Sequence, residues 1–275
     1  MKPLDPHDDC WVDGKRQPVS EARVPIDDPG FQAASGLFET IAIREGQPLD
    51  LEPHLERLAS GAQQMGIELP AADALRAVAH EASTDGAEVH GWLKIIVTGG
   101  GRSVVMRGAM DAADEGRPAT AILLPWRRNI DDPLVGLKTL NYAANRMGLE
   151  MAQARGADEG LWLNTRGHLA EGCRSNLFVI RGRTVFTPGV REGILPGVVR
   201  GLALTAARAL GLGVHETRVR IPRLRRATEA FLTSSLRGVR PLVRFERRAV
   251  GTGDPGAVTS RIAEEVGRLR RAGSP

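Results

Sequence analysis

Cysteine is scarce in this 275-residue chain, which contains only Cys10 and Cys173. Neither cysteine lies in a CxxC or another metal-ligand spacing, so a disulfide scaffold and a zinc site are excluded and no bound metal is expected. No segment approaches the roughly 18 apolar residues that a membrane span needs. Residues 1–14 carry acids and prolines where a signal peptide has an apolar core, so we expect a cytoplasmic protein without a membrane partner.

Lysine is also rare, because Lys2, Lys15, Lys94 and Lys138 are the only four and arginine supplies almost all the positive charge. The pI near 9.6 is high, but the net charge is only +4 and opposite charges alternate along most of the chain. A nucleic-acid-binding protein would show a basic stripe, so no nucleic-acid partner is expected.

The first half of the sequence predicts an α+β domain. The Asp13-Gly14 pair favours a tight hairpin turn, and apolar residues recur at helical spacing between Leu51 and Met65. The predicted elements are strands over residues 37–43, 89–97 and 119–124 and helices over residues 51–65 and 71–82. This domain covers residues 1–125, and a linker rich in arginine, aspartate and proline covers residues 126–133.

The second half, residues 134–275, predicts a larger domain rich in strands. A short strand ends at Leu140, and a helix follows over residues 141–155. Closely spaced strands are predicted over residues 161–164, 168–171, 176–180, 184–187, 216–221 and 231–232, with helices over residues 196–210 and 257–271. Turn residues such as Arg181-Gly182 separate the strands.

Lys138 ends the apolar run Leu-Val-Gly-Leu and immediately precedes the helix that begins near Asn141. A lysine at the end of a buried strand can project into a cavity. Composition alone favours the other interpretation, a surface lysine whose stem packs on apolar groups. The choice therefore depends on the residues around it.

Several ordered blocks surround Lys138. They are Gly36-Leu-Phe-Glu-Thr40, His54-Leu-Glu-Arg-Leu58, Lys138-Thr-Leu-Asn-Tyr142, Ala170-Glu-Gly-Cys-Arg-Ser-Asn-Leu-Phe178, Gly193-Ile-Leu-Pro-Gly-Val-Val-Arg200 and Phe231-Leu-Thr-Ser-Ser235. In this order they resemble the signature of fold-type IV pyridoxal-phosphate enzymes, the group of class IV aminotransferases and aminodeoxychorismate lyases. The resemblance implies the α+β, two-lobe fold of D-amino acid aminotransferase, with a small N-terminal α/β lobe and a larger, strand-rich C-terminal lobe.

By this resemblance Lys138 bonds covalently to pyridoxal 5'-phosphate and moves protons at the substrate carbon. Lys94 is the rival lysine within a strand, but no comparable blocks surround it. Glu171 is implied to keep the cofactor's pyridine nitrogen protonated. Without the resemblance, an exposed carboxylate on a strand would be the simpler interpretation of Glu171.

The resemblance also implies residues that bind the rest of the cofactor. Arg57 supplies a cation for the phosphate, and the glycine-rich turn before the helix offers backbone N–H groups. The remaining cofactor-binding candidates are Ser175, Asn176, Val198, Val199, Ser234 and Ser235. The Gly99-Gly100-Gly101 run lacks a following Gly-Lys-Ser/Thr and is predicted to be a turn. A substrate-binding role for Arg102 or Arg107 stays open.

Two activities share the scaffold, and peripheral residues must separate them. Aminotransferases of the group end the phosphate turn with Gly-Ile-Thr-Arg, whereas this chain has Gly197-Val-Val-Arg200. The block from Ser234 to Leu242 is similar to that of the lyases, and Thr40 matches the position of a hydroxyl that assists the lyase reaction. Taken alone, Thr40 is equally well explained as a β-former.

The resemblance thus implies a 4-amino-4-deoxychorismate lyase that releases pyruvate and 4-aminobenzoate for folate synthesis. The alternative is an aminotransferase acting on branched-chain or D-amino acids with a 2-oxo acid acceptor, since pocket chemistry rather than fold determines activity. A regulatory or nucleic-acid-binding protein that kept the fold without catalysis is a third hypothesis. Relatives in the group are homodimers, so a homodimer is expected.

Overall fold

The computed structural model describes residues 8–84, 90–110 and 116–272. Contacts divide the chain into two units. The first contains residues 1–114 and 137–141, with 274–275, and the second contains residues 115–136 and 142–273. The domain bounds expected from the sequence, residues 1–125 and 134–275, stay a prediction.

The first unit contains a six-stranded antiparallel sheet in the order β2-β1-β6-β5-β3-β4. Its strands are β1 (Asp9–Val12), β2 (Lys15–Pro18), β3 (Gly36–Arg44), β4 (Gln47–Pro48), β5 (His90–Thr98) and β6 (Ser103–Ala109). Its helices are α1 (Pro29–Ala33), α2 (Leu51–Met65) and α3 (Ala72–Thr84).

Two tight turns connect neighbouring strands of this sheet. Asp13 and Gly14 have φ values of 51° and 76°, and Glu45 and Gly46 have values of 52° and 73°. Two successive residues with positive φ form the turn whose twist matches that of a hairpin. The predicted hairpin at Asp13-Gly14 is confirmed, and Glu45-Gly46 forms a second turn of the same kind.

Helix α2 has the bounds predicted from its apolar spacing. Leu55, Leu58 and Ala62 are buried on one face and pack in the core with Leu37 and Ile41 of β3. Residues three and four apart share a helix face, and alternate residues share a strand face, so both patterns bury their apolar sides together. The core therefore lies between the sheet and α2, and α3 adds Leu75, Ala79 and Ala82 to it.

Some elements of the first unit differ from the prediction. Strand β6 and helix α1 were not predicted. The glycine run before β6 indicated a turn, and the Asp-Pro-Gly sequence at the start of α1 is also typical of a turn. Helix α3 ends two residues later than expected, at Thr84. The predicted strand over residues 89–97 is β5, although residue 89 lies outside the described residues.

The segment before Asn141 is not the strand that was predicted. Residues 131–136 form turns, and Thr139 makes an isolated antiparallel bridge to Leu37. The Phe38 N–H donates to the Lys138 carbonyl at 2.9 Å, and the Leu140 N–H donates to the Gly36 carbonyl at 2.9 Å. The main chain around Lys138 is thus held by β3, and this long-range pairing has no local sequence pattern.

The second unit contains a nine-stranded sheet in the order β12-β11-β10-β13-β14-β7-β8-β9, with β15 paired to β14. Its strands are β7 (Ala119–Arg128), β8 (Glu159–Asn164), β9 (Leu169–Gly172), β10 (Asn176–Arg181), β11 (Thr184–Pro188), β12 (Gly213–Thr217), β13 (Glu229–Ser234), β14 (Gly238–Phe245) and β15 (Arg248–Ala249). Strand β9 pairs with both β8 and β10, so six of these strands close into a ring.

The helices of the second unit are α4 (Ala143–Ala154), α5 (Val198–Ala209), α6 (Ile221–Arg225) and α7 (Ala257–Ala272), with a 3₁₀ turn at Val190–Glu192. Helices α5 and α7 cover one face of the sheet, where Phe178 and Phe231 stack with ring centroids 4.5 Å apart. A second cluster, which includes Leu161, Leu177 and Leu232, packs on the other side.

The predicted helices over residues 141–155, 196–210 and 257–271 are confirmed with small shifts of their ends. Several strands differ from the prediction. Strand β7 continues to Arg128, beyond the predicted end at residue 124, and β14 was not predicted. The strand expected over residues 216–221 is instead the end of β12 followed by α6, because Pro222 is suited to a first helical turn.

Within the described ranges, no helix is long and apolar enough to cross a membrane.

Gly36 provides a test of the pairing that holds the Lys138 segment. A Cβ at this position would lie 2.6 Å from the Val97 carbonyl oxygen and 2.6 Å from Cδ1 of Leu140. Because the carbonyl belongs to the sheet, Gly36→Ala should lower the free energy of unfolding by about 1–3 kcal/mol. Chemical denaturation measures this change.

Gly201 of α5 is the matched control, since a Cβ there meets nothing within 4 Å. Gly201→Ala should leave stability unchanged or raise it by up to about 1 kcal/mol, the difference in helix propensity. Equal effects of the two substitutions would contradict the close approach at Gly36.

Candidate active site

Lys138 of the first unit lies over an aromatic ring. Its Nζ is 4.4 Å from the ring centroid of Phe38, and the Nζ of Lys94 is 4.8 Å from the same centroid. Phe38 is buried, and both lysines are half-buried. Burial lowers the pKa of Lys94. Two of the four lysines therefore meet at one ring, with apolar surface beside their amines.

Thr40 lies two residues beyond Phe38 on β3 and opposite Lys94 of β5. Alternate residues of a strand point to the same face, so the Thr40 hydroxyl shares the face of the Phe38 ring. Its side chain is half-buried. The structure thus places the predicted Thr40 on the face of β3 where Lys138 contacts Phe38.

Arg57 is bound to a buried carboxylate on the opposite face of β3, toward α2. Its Nε donates to Glu39 Oε1 at 2.8 Å and its Nη2 donates to Glu39 Oε2 at 2.7 Å. His54 contacts the same Oε2 through Nδ1 at 2.6 Å. Glu39 and His54 lie in two of the sequence blocks that resemble the family, but the resemblance assigned no role to either residue. They position the guanidinium that the sequence assigned to a phosphate.

Burial by itself raises the pKa of Glu39, but the hydrogen bonds from Arg57 and His54 outweigh it and lower the pKa to about 2. Burial also lowers the pKa of His54, against the opposing effect of Glu39. The imidazole is therefore neutral at pH 7, and Nδ1–H donates to the ionised carboxylate. The guanidinium of Arg57 is therefore the charged partner of Glu39, and the imidazole of His54 is a neutral one.

Glu171 of the second unit is also buried, and three donors converge on its carboxylate. Arg128 Nη1 donates to Oε1. Asn176 Nδ2 donates to Oε2 at 3.1 Å, and the Leu195 N–H donates to the same oxygen at 2.9 Å. The structure therefore brings together two predicted residues, Glu171 and Asn176, and joins them to the turn before α5.

Arg128 is a residue that the sequence interpretation missed, because it fell in the predicted linker. It lies at the end of β7, and its Nη2 donates to Asn145 Oδ1 at 2.7 Å. Its guanidinium carbon is 5.3 Å from the ring centroid of Trp162. Only the adjacency of β7 and β8 brings Arg128 to this position, and no local motif marks it.

Ser175 is bound to a different carboxylate. Its Oγ donates to Glu159 Oε2 at 2.8 Å, and the Cys173 N–H donates to Glu159 Oε1 at 3.0 Å. Burial raises the pKa of Glu159, with Arg174 and Ser175 opposing. The hydrogen bonds to Glu159 thus stabilise the turn that follows Glu171. Contact between Ser175 and a cofactor stays a prediction.

The remaining predicted residues lie at the ends of two elements of the second unit. Val198 and Val199 are the first residues of α5, whose N-terminal N–H groups have no acceptor within the helix. Ser234 ends β13, next to Thr233, which pairs with Asn176. The Ser235 carbonyl accepts a hydrogen bond from Arg270 at 3.0 Å.

A family model described as amino-transferase class IV matches residues 36–245 of this chain. The chain belongs to the class IV aminotransferase family. Proteins of this family depend on pyridoxal phosphate, and this chain is accordingly a pyridoxal-phosphate-dependent class IV enzyme with the fold-type IV architecture.

The similar proteins carry more than one activity. D-alanine aminotransferase of Bacillus licheniformis is 28% identical over 90% of this chain and 92% of its own length. Aminodeoxychorismate lyase of Bacillus subtilis is 27% identical over 92% and 91%. A branched-chain aminotransferase structure from Thermoproteus uzoniensis has a TM-score of 0.88 at 24% identity, covers 96% and 95%, and shows the fold alone. Branched-chain aminotransferases outnumber lyases among the curated relatives.

The residues of this class IV enzyme fit the chemistry of pyridoxal phosphate. Glu171 is a buried carboxylate that accepts hydrogen bonds from Arg128, Asn176 and Leu195, and a carboxylate is the kind of group that holds a protonated pyridine nitrogen. Lys138 offers a primary amine, the group that reacts with the aldehyde of the cofactor. The N-terminus of α5 and the guanidinium of Arg57 suit a phosphate.

The buried Glu39 carboxylate predicts how stability depends on pH. Its pKa is about 2 against an ordinary value of 4.5, so the stabilisation is complete above pH 4.5 and is lost as the pH falls toward 2. A depression of this size corresponds to about 3 kcal/mol. Glu39→Gln should lose about that amount at pH 7, and the difference from the wild type should shrink below pH 4.5. Denaturation at a series of pH values measures it.

Glu52 is a suitable control, because its ion pair with Arg76 lies at the surface. Glu52→Gln should cost no more than about 1 kcal/mol at any pH. A difference between wild type and Glu39→Gln that does not change between pH 7 and pH 3 would contradict the assignment.

Proposed function

We propose that Lys138 forms the covalent bond to the cofactor and moves the protons of the reaction. When bound, pyridoxal phosphate supplies an aldehyde that reacts with amines and a ring that accepts electrons from a carbanion. Glu171 holds the pyridine nitrogen, and Arg57 and the N–H groups of Val198 and Val199 bind the phosphate. Ser234 and Ser235 add donors from the end of β13.

We further propose that the enzyme is a 4-amino-4-deoxychorismate lyase. The observation that carries this proposal is the Thr40 hydroxyl, on the same face of β3 as the ring that Lys138 contacts. A lyase needs a base to remove the ring proton and a proton source for the departing enolpyruvyl group. Lys138 serves as the base and Thr40 assists the protonation. Pyruvate leaves, and the remaining ring becomes aromatic 4-aminobenzoate.

Two further features support the lyase. The start of α5 has Val198-Val199, so it lacks the threonine hydroxyl that aminotransferases of the group carry in this turn. The Bacillus subtilis lyase is similar over nearly the whole chain. This product would supply folate synthesis, and we propose a cytoplasmic homodimer as the working form.

The second candidate is an aminotransferase for branched-chain or D-amino acids. The greater number of aminotransferases among the relatives favours it. In that reaction Lys138 would remove and return protons at the substrate carbon, the cofactor would carry the amino group, and a 2-oxo acid would accept it. The two candidates differ in whether turnover requires an acceptor.

The role of Lys138 can be tested with the second lysine on the same ring as the control. Lys138→Ala should abolish the covalent attachment of cofactor after borohydride reduction and replace the absorbance band of the covalently bound cofactor by that of the free aldehyde, because the bonding amine is gone. Lys94→Ala should keep both signals. Absorbance spectra and the mass of the reduced protein provide the measurement. Covalent attachment that survives in Lys138→Ala and disappears in Lys94→Ala would reverse the assignment.

The lyase proposal predicts turnover without an acceptor. The purified holoenzyme, given 4-amino-4-deoxychorismate alone, should release 4-aminobenzoate and pyruvate in equal amounts over many turnovers. Fluorescence of 4-aminobenzoate and a coupled pyruvate assay measure both products. A strict requirement for 2-oxoglutarate or pyruvate as amino acceptor would reject the lyase and favour the aminotransferase.

Thr40→Val gives a finer test of the same proposal, since valine keeps the shape and removes the hydroxyl. Loss of a general acid lowers kcat about 100-fold or more, whereas the cofactor band should be unchanged. Thr40→Ser should recover much of the rate. Full activity of Thr40→Val would exclude the hydroxyl from the reaction.

A further inference from the structure

Asn176 lies at the point where the ring of strands in the second unit closes. It is the first residue of β10, and its backbone pairs with Glu171 of β9. Its side chain is buried. On the other side, β10 pairs with β13, where Thr233 is opposite Asn176. The backbone of Asn176 is therefore held by pairing with strands on both sides.

The amide of Asn176 completes a cycle of hydrogen bonds. Its Nδ2 donates to Glu171 Oε2 at 3.1 Å and to the Leu195 carbonyl at 2.9 Å. The N–H of Leu195 donates to the same Glu171 oxygen at 2.9 Å. Three bonds thus join one carboxylate, one side-chain amide and the backbone N–H and C=O of one residue. Moving any one of the three groups breaks at least one bond of the cycle.

The other atom of the same amide lies against the start of α5. A Cβ on Gly197 would overlap Asn176 Oδ1, so the amide oxygen occupies the space that a side chain would need. Gly197 is the N-cap of α5, whose next two residues are Val198 and Val199. One side chain thus contacts the carboxylate of Glu171, the peptide of Leu195 and the N-cap of α5.

We propose that Asn176 is a positioning residue, which holds Glu171 and the turn at residues 195–199 at one separation. This inference rests on the proposed function, in which Glu171 binds the pyridine end of the cofactor and the turn binds the phosphate end. In pyridoxal phosphate a short covalent linker joins the ring to the phosphate, which would limit the distance between the two ends. Both ends are bound well only when the two protein groups are correctly spaced, so Asn176 makes the two contacts cooperative.

An asparagine suits this role for a chemical reason. Its NH₂ group has two hydrogens, and the structure uses one for a carboxylate and one for a carbonyl. Aspartate has nearly the same volume and no donor, so Asn176→Asp removes both bonds with little change of packing. Asn176→Ala removes the same bonds together with the amide oxygen beside Gly197.

Asn164 of β8 provides a closely matched control. It is also buried, and its Nδ2 donates to the Glu192 carbonyl at 3.1 Å and to Glu192 Oε2 at 2.8 Å. It therefore makes the same two kinds of bond in the same unit, but to a carboxylate that has no proposed role at the cofactor. Asn164→Asp should cost similar stability without loosening Glu171.

The test is titration of apoenzyme with pyridoxal 5'-phosphate and, separately, with pyridoxal, which lacks the phosphate. Absorbance gives both dissociation constants without any amino substrate. The dissociation constant of pyridoxal divided by that of pyridoxal 5'-phosphate reports how much the phosphate adds to the affinity. We expect Asn176→Asp to lower this ratio about tenfold or more, as for loss of a hydrogen bond to a charged group. Asn164→Asp should keep the wild-type ratio.

A double-mutant cycle tests the cooperativity directly. Glu171→Gln alone should weaken pyridoxal 5'-phosphate binding, and combining it with Asn176→Asp should cost less than the product of the two single effects. If the Asn176→Asp protein is too unstable to titrate, Asn176→Ser, which keeps one donor, should give an intermediate ratio. Melting temperatures of all variants separate loss of fold from loss of positioning.

The outcomes distinguish failure of this inference from failure of the proposed site. An unchanged ratio in Asn176→Asp, with Glu171→Gln still weakening the cofactor, overturns the positioning role alone. An equal fall in Asn164→Asp overturns it too, because general destabilisation would then explain the effect. If Glu171→Gln leaves both dissociation constants unchanged, the proposed cofactor site and this inference fail together. The lyase assay is independent of all three results.

Discussion

The structure depends on one constraint, which is that a carboxylate removed from water must receive hydrogen bonds or a cation. An unpaired buried charge costs several kcal/mol, more than a small domain can lose at many positions. Glu39, Glu159 and Glu171 are all buried, and each accepts hydrogen bonds from more than one group. The donors come from distant parts of the chain, so satisfying each carboxylate joins several elements.

Each carboxylate therefore connects several elements of the fold through its hydrogen bonds. Glu39 of β3 joins the sheet of the first unit to α2 through His54 and Arg57. In the second unit Glu171 joins β9 to the ends of β7 and β10 and to the turn before α5. A side chain held by several bonds has little freedom, and such preorganisation is what a cofactor site requires.

Burial also separates the chemical roles of similar side chains. The cation Arg57 lowers the pKa of Glu39 to about 2, whereas burial raises the pKa of Glu159, which is bound mainly by neutral donors. Two glutamates of comparable burial thus differ in their tendency to ionise, because their partners differ in charge.

Much could be predicted from the sequence where the signal is local. The apolar spacing of α2 and the Asp13-Gly14 turn are short-range patterns, and both match the structure. The ordered blocks around Lys138 led to the family and to its cofactor. The segment at residues 137–140 was wrongly predicted as a strand, because its conformation comes from bonds to β3 rather than from its own residues.

The sequence by itself determined the class of the protein, its cofactor and most of its regular elements, because residue type, spacing and turn chemistry act over a few positions. Only the tertiary structure decided the partners of the charged groups. Arg128 meets Glu171 across 43 positions of sequence, and Trp162 lies beneath the same guanidinium. Hydrogen bonds need correct distance and direction, and strand register alone brings such separated atoms into contact.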